Sequence, residues 1–178
     1  PLKLPFDVQT YYENPAKASG NCFSPSPSVS DWYETIRLNY CDFHTRTWDR
    51  MYDIVRFWCG KGVDGFRCDM VEMVPWQFFL WLIGKVKEEF PDVTFIAEVY
   101  RKELYKKYID EVGFDFLYDK SGFYDSVRSV VEGHGTARSL TWNWQSLGGL
   151  QPRMLNFLEN HDEQRFASDF FAGDARRT

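Results

Sequence analysis

Apolar residues in this chain follow three regimes. Residues 1–40 show no periodicity: Pro5, Pro15, Gly20, Pro25 and Pro27 punctuate them, and Ser24–Ser30 is a Ser/Pro run. They read as irregular structure, of the kind that forms a functional insertion or a flexible segment. From Asp42, a residue type suited to an N-cap, Trp48, Met51, Tyr52, Val55 and Trp58 recur at helical spacing until Gly60 and Gly62. The pattern then alternates between short apolar runs and amphipathic stretches.

Val63–Asp69 reads as a strand. Pro75 opens a helix with Phe78, Phe79, Leu82, Val86 and Phe90 on one face, and Pro91 stops it. Thr94–Val99 is the next strand, and 101–112 a helix with Gly113 just past its end. Phe114–Tyr118 reads as a strand, Phe123–Glu132 as a helix, 133–152 as a mixed stretch and Arg153–Leu158 as a further strand. From Glu163 another polar-apolar segment begins. Helix followed by β-α-β-α-β-α-β predicts parallel strands joined by crossover helices, which leaves open whether they form a closed barrel or an open doubly wound sheet.

Composition narrows the function. The 178 residues fit one domain of ordinary size, and 44% hydrophobic content is enough for a sizeable core. A formal net charge of −5 argues against a nucleic-acid partner, which calls for a basic patch. No apolar run approaches the roughly 20 residues of a membrane-spanning helix. Neither GxGxxG nor GxxxxGK[ST] occurs. Cys22, Cys41, Cys59 and Cys68 lack CxxC spacing and a histidine at zinc-ligand distance, so they read as buried free thiols, and the compartment stays open. Aromatics make up 19% of the chain, serving either a core or platforms for sugar rings.

Candidate chemistry sits where strands end. Gly65-Phe66-Arg67-Cys68-Asp69, Phe95-Ile96-Ala97-Glu98 and Leu158-Glu159-Asn160-His161-Asp162 each carry an acid beyond an apolar run. Asp69 and Glu98 are 29 residues apart, and Glu98 and Asp162 are 64 apart. A barrel unit takes about 30 residues if about 250 make eight of them. The acids then fall on strands n, n+1 and n+3, at the C-terminal ends where barrel active sites form. Converging carboxylates suit glycoside hydrolysis, in which one serves as nucleophile and another as proton donor. Arg67, two residues before Asp69, shares its face and suits the task of keeping it ionised. Each acid alone reads more simply as a helix cap or surface charge, and Arg67–Asp69 alone as a structural ion pair; the ordered set argues for a site.

At these residues the chain resembles the α-amylase family, glycoside hydrolase family 13. Gly62–Asp69 is similar to its fourth-strand motif GxDGFRxD, Phe95–Glu98 to its fifth-strand motif and Phe157–Asp162 to its seventh-strand motif of NHD type. The resemblance runs from about Trp32 to Asp169. It implies part of a (β/α)8 barrel, about four βα units over 41–178, preceded by an irregular segment, 1–40, from the loop domain after the third strand. It implies Asp69 as nucleophile, Glu98 as acid and base with a raised pKa, and Asp162 as transition-state stabiliser. Arg67 would orient Asp69; His161, Asn160 and Tyr100 would contact an α-glucan oligo- or polysaccharide. Tyr11, Tyr12, Trp32 and Tyr33 read as loop packing first, with sugar contact as the alternative.

Three departures stand out. Glu72 and Met73 occupy the place of a Lys-His pair that helps place calcium in many family members, so calcium has no support in this segment and no cofactor is required. The third-strand motif is absent, and so are candidates for strands one to three and eight. A four-strand arc leaves two unpaired edges and an open interior face, so missing barrel segments or self-association must cover it. The implied activity is retaining hydrolysis of α-1,4-glucans. Transglycosylation by the same residues is the alternative. A non-catalytic homologue or an inactive fragment is a further one, although all three acids are kept.

Overall fold

The computed structural model describes residue 6, residues 38–40 and residues 46–172. The expectations for Asp42, Cys22, Cys41, Tyr11, Tyr12, Trp32 and Tyr33 lie outside the described residues, as does nearly all of the irregular segment.

Four parallel strands form one sheet in chain order: β1 (Gly65–Cys68), β2 (Thr94–Ala97), β3 (Phe116–Tyr118) and β4 (Met154–Leu155). Helix α1 (Arg46–Cys59) precedes β1, and α2 (Trp76–Glu89) connects β1 to β2. Between β2 and β3 the chain turns through a 3-10 turn, a helical turn α3 (Tyr105–Lys107) and a π-helical stretch, Tyr108–Val112. A second π-helical turn (Lys120–Tyr124), α4 (Asp125–Val131) and α5 (Ala137–Ser146) lead to β4, and α6 (Asp169–Ala172) follows. The sheet is the parallel arc of a (β/α)8 barrel rather than a doubly wound sheet.

The register separates two faces. Phe66 pairs with Phe95, and Cys68 with Ala97, which pairs with Leu117, which pairs with Met154. On this face Phe95, Ala97, Leu117 and, just past β2, Val99 are fully buried beneath the helices. Helix α1 packs on α2, and α2 on the π-helical stretch. Trp48 of α1 meets Phe78 edge to face at 5.4 Å, and Phe79 meets Phe114 at 5.3 Å. The opposite face carries Arg67, Ile96, Phe116, Tyr118 and Leu155. Among the described residues no helix covers it, and Phe116 and Leu155 are 37% and 40% exposed. In a closed barrel this face is the interior.

Local chemistry accounts for the close strand approach and for the ends of elements. A Cβ built on Gly65 would collide with the Thr94 carbonyl oxygen and lie 3.0 Å from the Thr94 Cβ, so only glycine lets β1 and β2 pair there. Gly113, at φ 95°, ends the π-helical stretch in the left-handed conformation. Asp115 locks the next crossover: its carboxylate accepts from Lys87 Nζ at 2.7 Å and from the Phe95 N–H at 2.8 Å.

Three elements differ from expectation. The helix of 101–112 is broken into 3-10, α and π turns, because the Phe114 N–H reaches back to the Tyr108 carbonyl (3.1 Å) and the widened turn buries Tyr108, Ile109 and Val112 together. The strand expected over Arg153–Leu158 is only Met154–Leu155. Pro152 lies in the 3-10 turn Gln151–Arg153 that delays its start, and the Arg153 guanidinium bonds the Phe114 and Asp115 carbonyls. The stretch 133–152 contains a ten-residue helix, α5, which buries no residue and exposes Trp142 and Trp144.

Gly65→Ala should lower stability by about 1–3 kcal/mol, the cost of forced overpacking, read as a fall in urea midpoint. Burial pushes the Tyr40 and Tyr124 phenols from 10.0 up to about 12. Their contribution is complete below pH 10, where both states keep the proton, and is lost as pH rises from 10 towards 12, where unfolding would release it. The urea midpoint should therefore be lower at pH 11 than at pH 9, and an unchanged midpoint would refute this.

Candidate active site

Strands β1 and β2 end level with each other. Cys68 pairs with Ala97, and the Glu98 N–H extends the ladder to the Cys68 carbonyl at 3.1 Å. Asp69 and Glu98 therefore leave adjacent strands at the same height, on the face that carries Arg67. Residue period two explains this: Arg67 and Asp69 share a face, and so do Ile96 and Glu98.

Arg67 lies between the two acids. Its Nη1 donates to Asp69 Oδ1, and its Nη2 stands 2.8 Å from Glu98 Oε1. The second contact is an ion pair without an aligned hydrogen bond, since Nη2 and Nε are buried and make none. Arg67 also lies over the Tyr118 ring, 5.4 Å from its centroid. Burial works to lower the Arg67 pKa, but the hydrogen bond to Asp69 and the charges of Glu98 and Asp69 outweigh it and raise it, so the guanidinium stays charged.

The two acids differ in exposure. Glu98 is 3% exposed and Asp69 is 69% exposed. Glu98 accepts from the Tyr100 hydroxyl at Oε1 (2.9 Å) and from the Met70 N–H at Oε2 (3.0 Å). Met70 holds a left-handed backbone, φ 45° and ψ 44°, unusual for a non-glycine residue and typical of strain stored beside a site. Burial raises the Tyr100 pKa, as do its hydrogen bond to Glu98 and the charges of Glu98 and Asp162, so the phenol remains a donor well into alkaline pH.

Asp162 does not leave a strand end; it sits seven residues beyond β4 in a loop. Its charge is felt at Tyr100, which brings it to the same mouth, but its carboxylate stands 3.2 Å from His161 Nε2, whereas Asp69 and Glu98 share Arg67. Both His161 and Asp162 are exposed. Asn160 shapes the loop: its Oδ1 accepts the Asp162 and Glu163 N–H groups, each at 3.0 Å. Of the seven residues named from sequence, Arg67, Asp69, Glu98 and Tyr100 form one contact cluster, while Asn160, His161 and Asp162 form a second.

Two glutamates that carry the site's architecture were missed. Glu163 accepts from the Tyr124 hydroxyl at 2.9 Å and pairs with Lys120 at 3.0 Å, tying the Asp162 loop to the turn before α4. Burial works to raise its pKa, and the Lys120 and Tyr124 hydrogen bonds outweigh that and lower it. Glu72 accepts the Tyr100 and Arg101 N–H groups at 3.3 and 3.1 Å. The sequence marked Glu72 only as an unusual residue after the nucleophile motif. Partners 28 to 43 residues away leave no local signal.

A cavity of about 290 Å3 lies at the end of β3, between Asp119 and Phe123 on one side and Leu140, Asn143 and Trp144 of α5 on the other. Among the described residues no group of three or more His, Cys, Asp or Glu is placed to hold a metal ion. No helix there is long and apolar enough to cross a membrane.

No family model matches the chain. Among curated proteins it is similar to the alpha-1,4-glucan:maltose-1-phosphate maltosyltransferase of Cereibacter sphaeroides, 38% identical over 71 residues, which are 40% of this chain and 12% of that protein. It is 30% identical over 112 residues to the protein of the same name from Picrophilus torridus, covering 61% of this chain and 15% of that one. The chain thus spans a small part of the length of the curated relatives it matches. Among solved structures, the ligand-free cyclic alpha-maltosyl-(1→6)-maltose hydrolase of Arthrobacter globiformis superposes with a TM-score of 0.70 at 21% identity, over 84% of this chain and 34% of that one. A maltogenic alpha-amylase of Thermotoga neapolitana gives 0.58 at 29% identity, over 74% and 30%. The fold is that of a segment of a (β/α)8 barrel. Its curated relatives and structural neighbours are enzymes of the α-amylase family, glycoside hydrolase family 13, and the chain is similar to part of their catalytic domain.

Arg67→Met should destabilise the fold by about 3–5 kcal/mol, because Glu98 is left buried without its cation. Adding Glu98→Gln should recover most of that loss in urea unfolding; simple additivity of the two would contradict the bridge.

Proposed function

We propose that this site cleaves α-1,4-linked glucans with retention of configuration. The observation that carries the reading is the single guanidinium of Arg67 holding both Asp69 and Glu98. A retaining pair needs carboxyl groups roughly 5–5.5 Å apart, whereas an inverting pair stands roughly 6.5–9.5 Å apart to admit a water. Two acids on one guanidinium support the closer arrangement.

Asp69, exposed and hydrogen-bonded by Arg67, attacks the anomeric carbon and forms a glycosyl ester. Glu98 protonates the departing glycosidic oxygen. In the second step Glu98, now a carboxylate, takes a proton from the incoming hydroxyl as its oxygen displaces Asp69. The Tyr100 hydroxyl and the Met70 N–H keep the Glu98 carboxyl in plane with the bond being broken. Asp162 and His161 contact hydroxyls of the sugar held at the nucleophile, and the Asp162 carboxylate adds negative charge opposite the oxocarbenium-like transition state; Asn160 supports them through the backbone of their loop. The open face of the sheet is closed by further barrel strands or by a second copy of the chain.

When water attacks the ester, the product is a hydrolysed glucan, and this is the reading adopted. Transfer to a sugar hydroxyl is the second reading, favoured by the curated relatives, which are named as maltosyltransferases.

The test uses the full chain with maltoheptaose, and products separated by chromatography. Glu98→Gln should cut turnover by about 100- to 10,000-fold, the usual worth of a general acid–base. Shorter glucans alone signify hydrolysis, and longer ones on adding maltose signify transfer. Unchanged turnover in Glu98→Gln would sink the assignment.

A further inference from the structure

Glu98 is gripped from two sides that the chain reaches separately. The Met70 N–H comes from the turn after β1, and the Tyr100 hydroxyl from the loop after β2. Neither arm is held by a regular ladder. Met70 is in a left-handed conformation, and Tyr100 lies beyond the last strand residue, in irregular backbone.

One side chain joins the arms. Glu72 lies in the 3-10 turn Val71–Met73, two residues after Met70. Its Oε2 accepts the Tyr100 N–H at 3.3 Å; its Oε1 accepts the Arg101 N–H at 3.1 Å and Arg101 Nε at 3.2 Å. Its side chain is 16% exposed, while that of Arg101 is 59% exposed. The contacts close a ring that runs Met70, Glu98, Tyr100, Glu72 and back to Met70 through the turn.

We propose that Glu72 is a positioning residue, fixing the loop after β2 so that the Tyr100 hydroxyl stays on Glu98 and aims its proton at the leaving oxygen. This rests on the retaining-glycosidase reading above and deepens it. The backbone contacts carry the function. The Arg101 guanidinium reinforces them at the surface, where an ion pair contributes little by itself. A carboxylate suits the task because its two oxygens take three donors on neighbouring residues; a glutamine offers one acceptor oxygen and turns an N–H2 towards the remaining donor.

Acid assistance matters in proportion to how poor the leaving group is. A residue that only stabilises the fold affects good and poor leaving groups alike. In the full chain, Glu72→Ala should lower kcat/KM on maltoheptaose, which reads the first step alone, about 10- to 100-fold, the scale of a small misplacement of a catalytic group. It should lower kcat/KM on α-maltosyl fluoride, whose fluoride departs with little proton assistance, less than about 3-fold. Glu72→Gln should fall between wild type and Glu72→Ala. In a Tyr100→Phe background, Glu72→Ala should add little further loss on maltoheptaose, because the hydroxyl it positions is gone.

An equal loss on both substrates, no loss on either, or full additivity with Tyr100→Phe would overturn the role given to Glu72. Glu98→Gln run alongside separates the two claims. A leaving-group-dependent loss in Glu98→Gln without one in Glu72→Ala removes the positioning role alone. No such dependence in Glu98→Gln removes the glycosidase reading, and the positioning role with it.

Discussion

Arg67 is the group on which the rest of the site depends. A guanidinium is planar, always charged and able to present separate nitrogens to separate partners. Here one nitrogen takes Asp69 and its neighbour faces Glu98, which is almost wholly buried. Without that cation a buried carboxylate next to a second one would be costly. The backbone is arranged to permit the contact: Gly65 brings β1 against β2, the pairing sets Cys68 opposite Ala97, and both acids therefore emerge level. Strand pairing fixes the acids in height, and Arg67 fixes them in charge.

The sheet's two faces divide labour. Phe95, Ala97, Leu117 and Met154 face the helices and supply the cohesion, with Phe78, Phe79 and Phe114 packed against them. The other face holds the chemistry at its upper rim and exposed apolar side chains, Phe116 and Leu155, below it. A carboxyl is best shielded where the turn after β1 and the loop after β2 fold over it, and Glu98 is covered in just that way although its strand face is open.

How much of this was legible in the sequence depended on how local each cause was. Helices α1 and α2 follow from the spacing of Trp48, Tyr52, Phe78, Phe79, Leu82 and Val86, since each element buries one stripe. Asp69, Glu98 and Arg67 were readable because period two and βα spacing place them without reference to anything distant, whereas Asp162 lies in a loop beyond β4. Long-range partners were not. Glu163 matters through Lys120 and Tyr124, and Glu72 through Tyr100 and Arg101, and no periodicity encodes such pairs. The shortness of β4 was hidden too: Met154–Leu158 reads as a longer strand, but only Met154 and Leu155 pair with β3. Helix α5 escaped although Leu140, Trp144 and Leu147 recur at helical spacing, because the glycines at the edges of 133–152 mask its ends.

The brevity of β4 shifts the mechanical allegiance of the loop beyond it. Only Met154 and Leu155 are pinned to the sheet, whereas Glu163 is moored to Tyr124, Lys120 and Arg128 at the start of α4. Asp162 is therefore a passenger on the α4 end of the molecule rather than an extension of its own strand. Asp69 and Glu98 are held by the β1–β2 pairing, whereas Asp162 is held through Glu163 by the Lys120–Tyr124 turn and by Arg128 of α4.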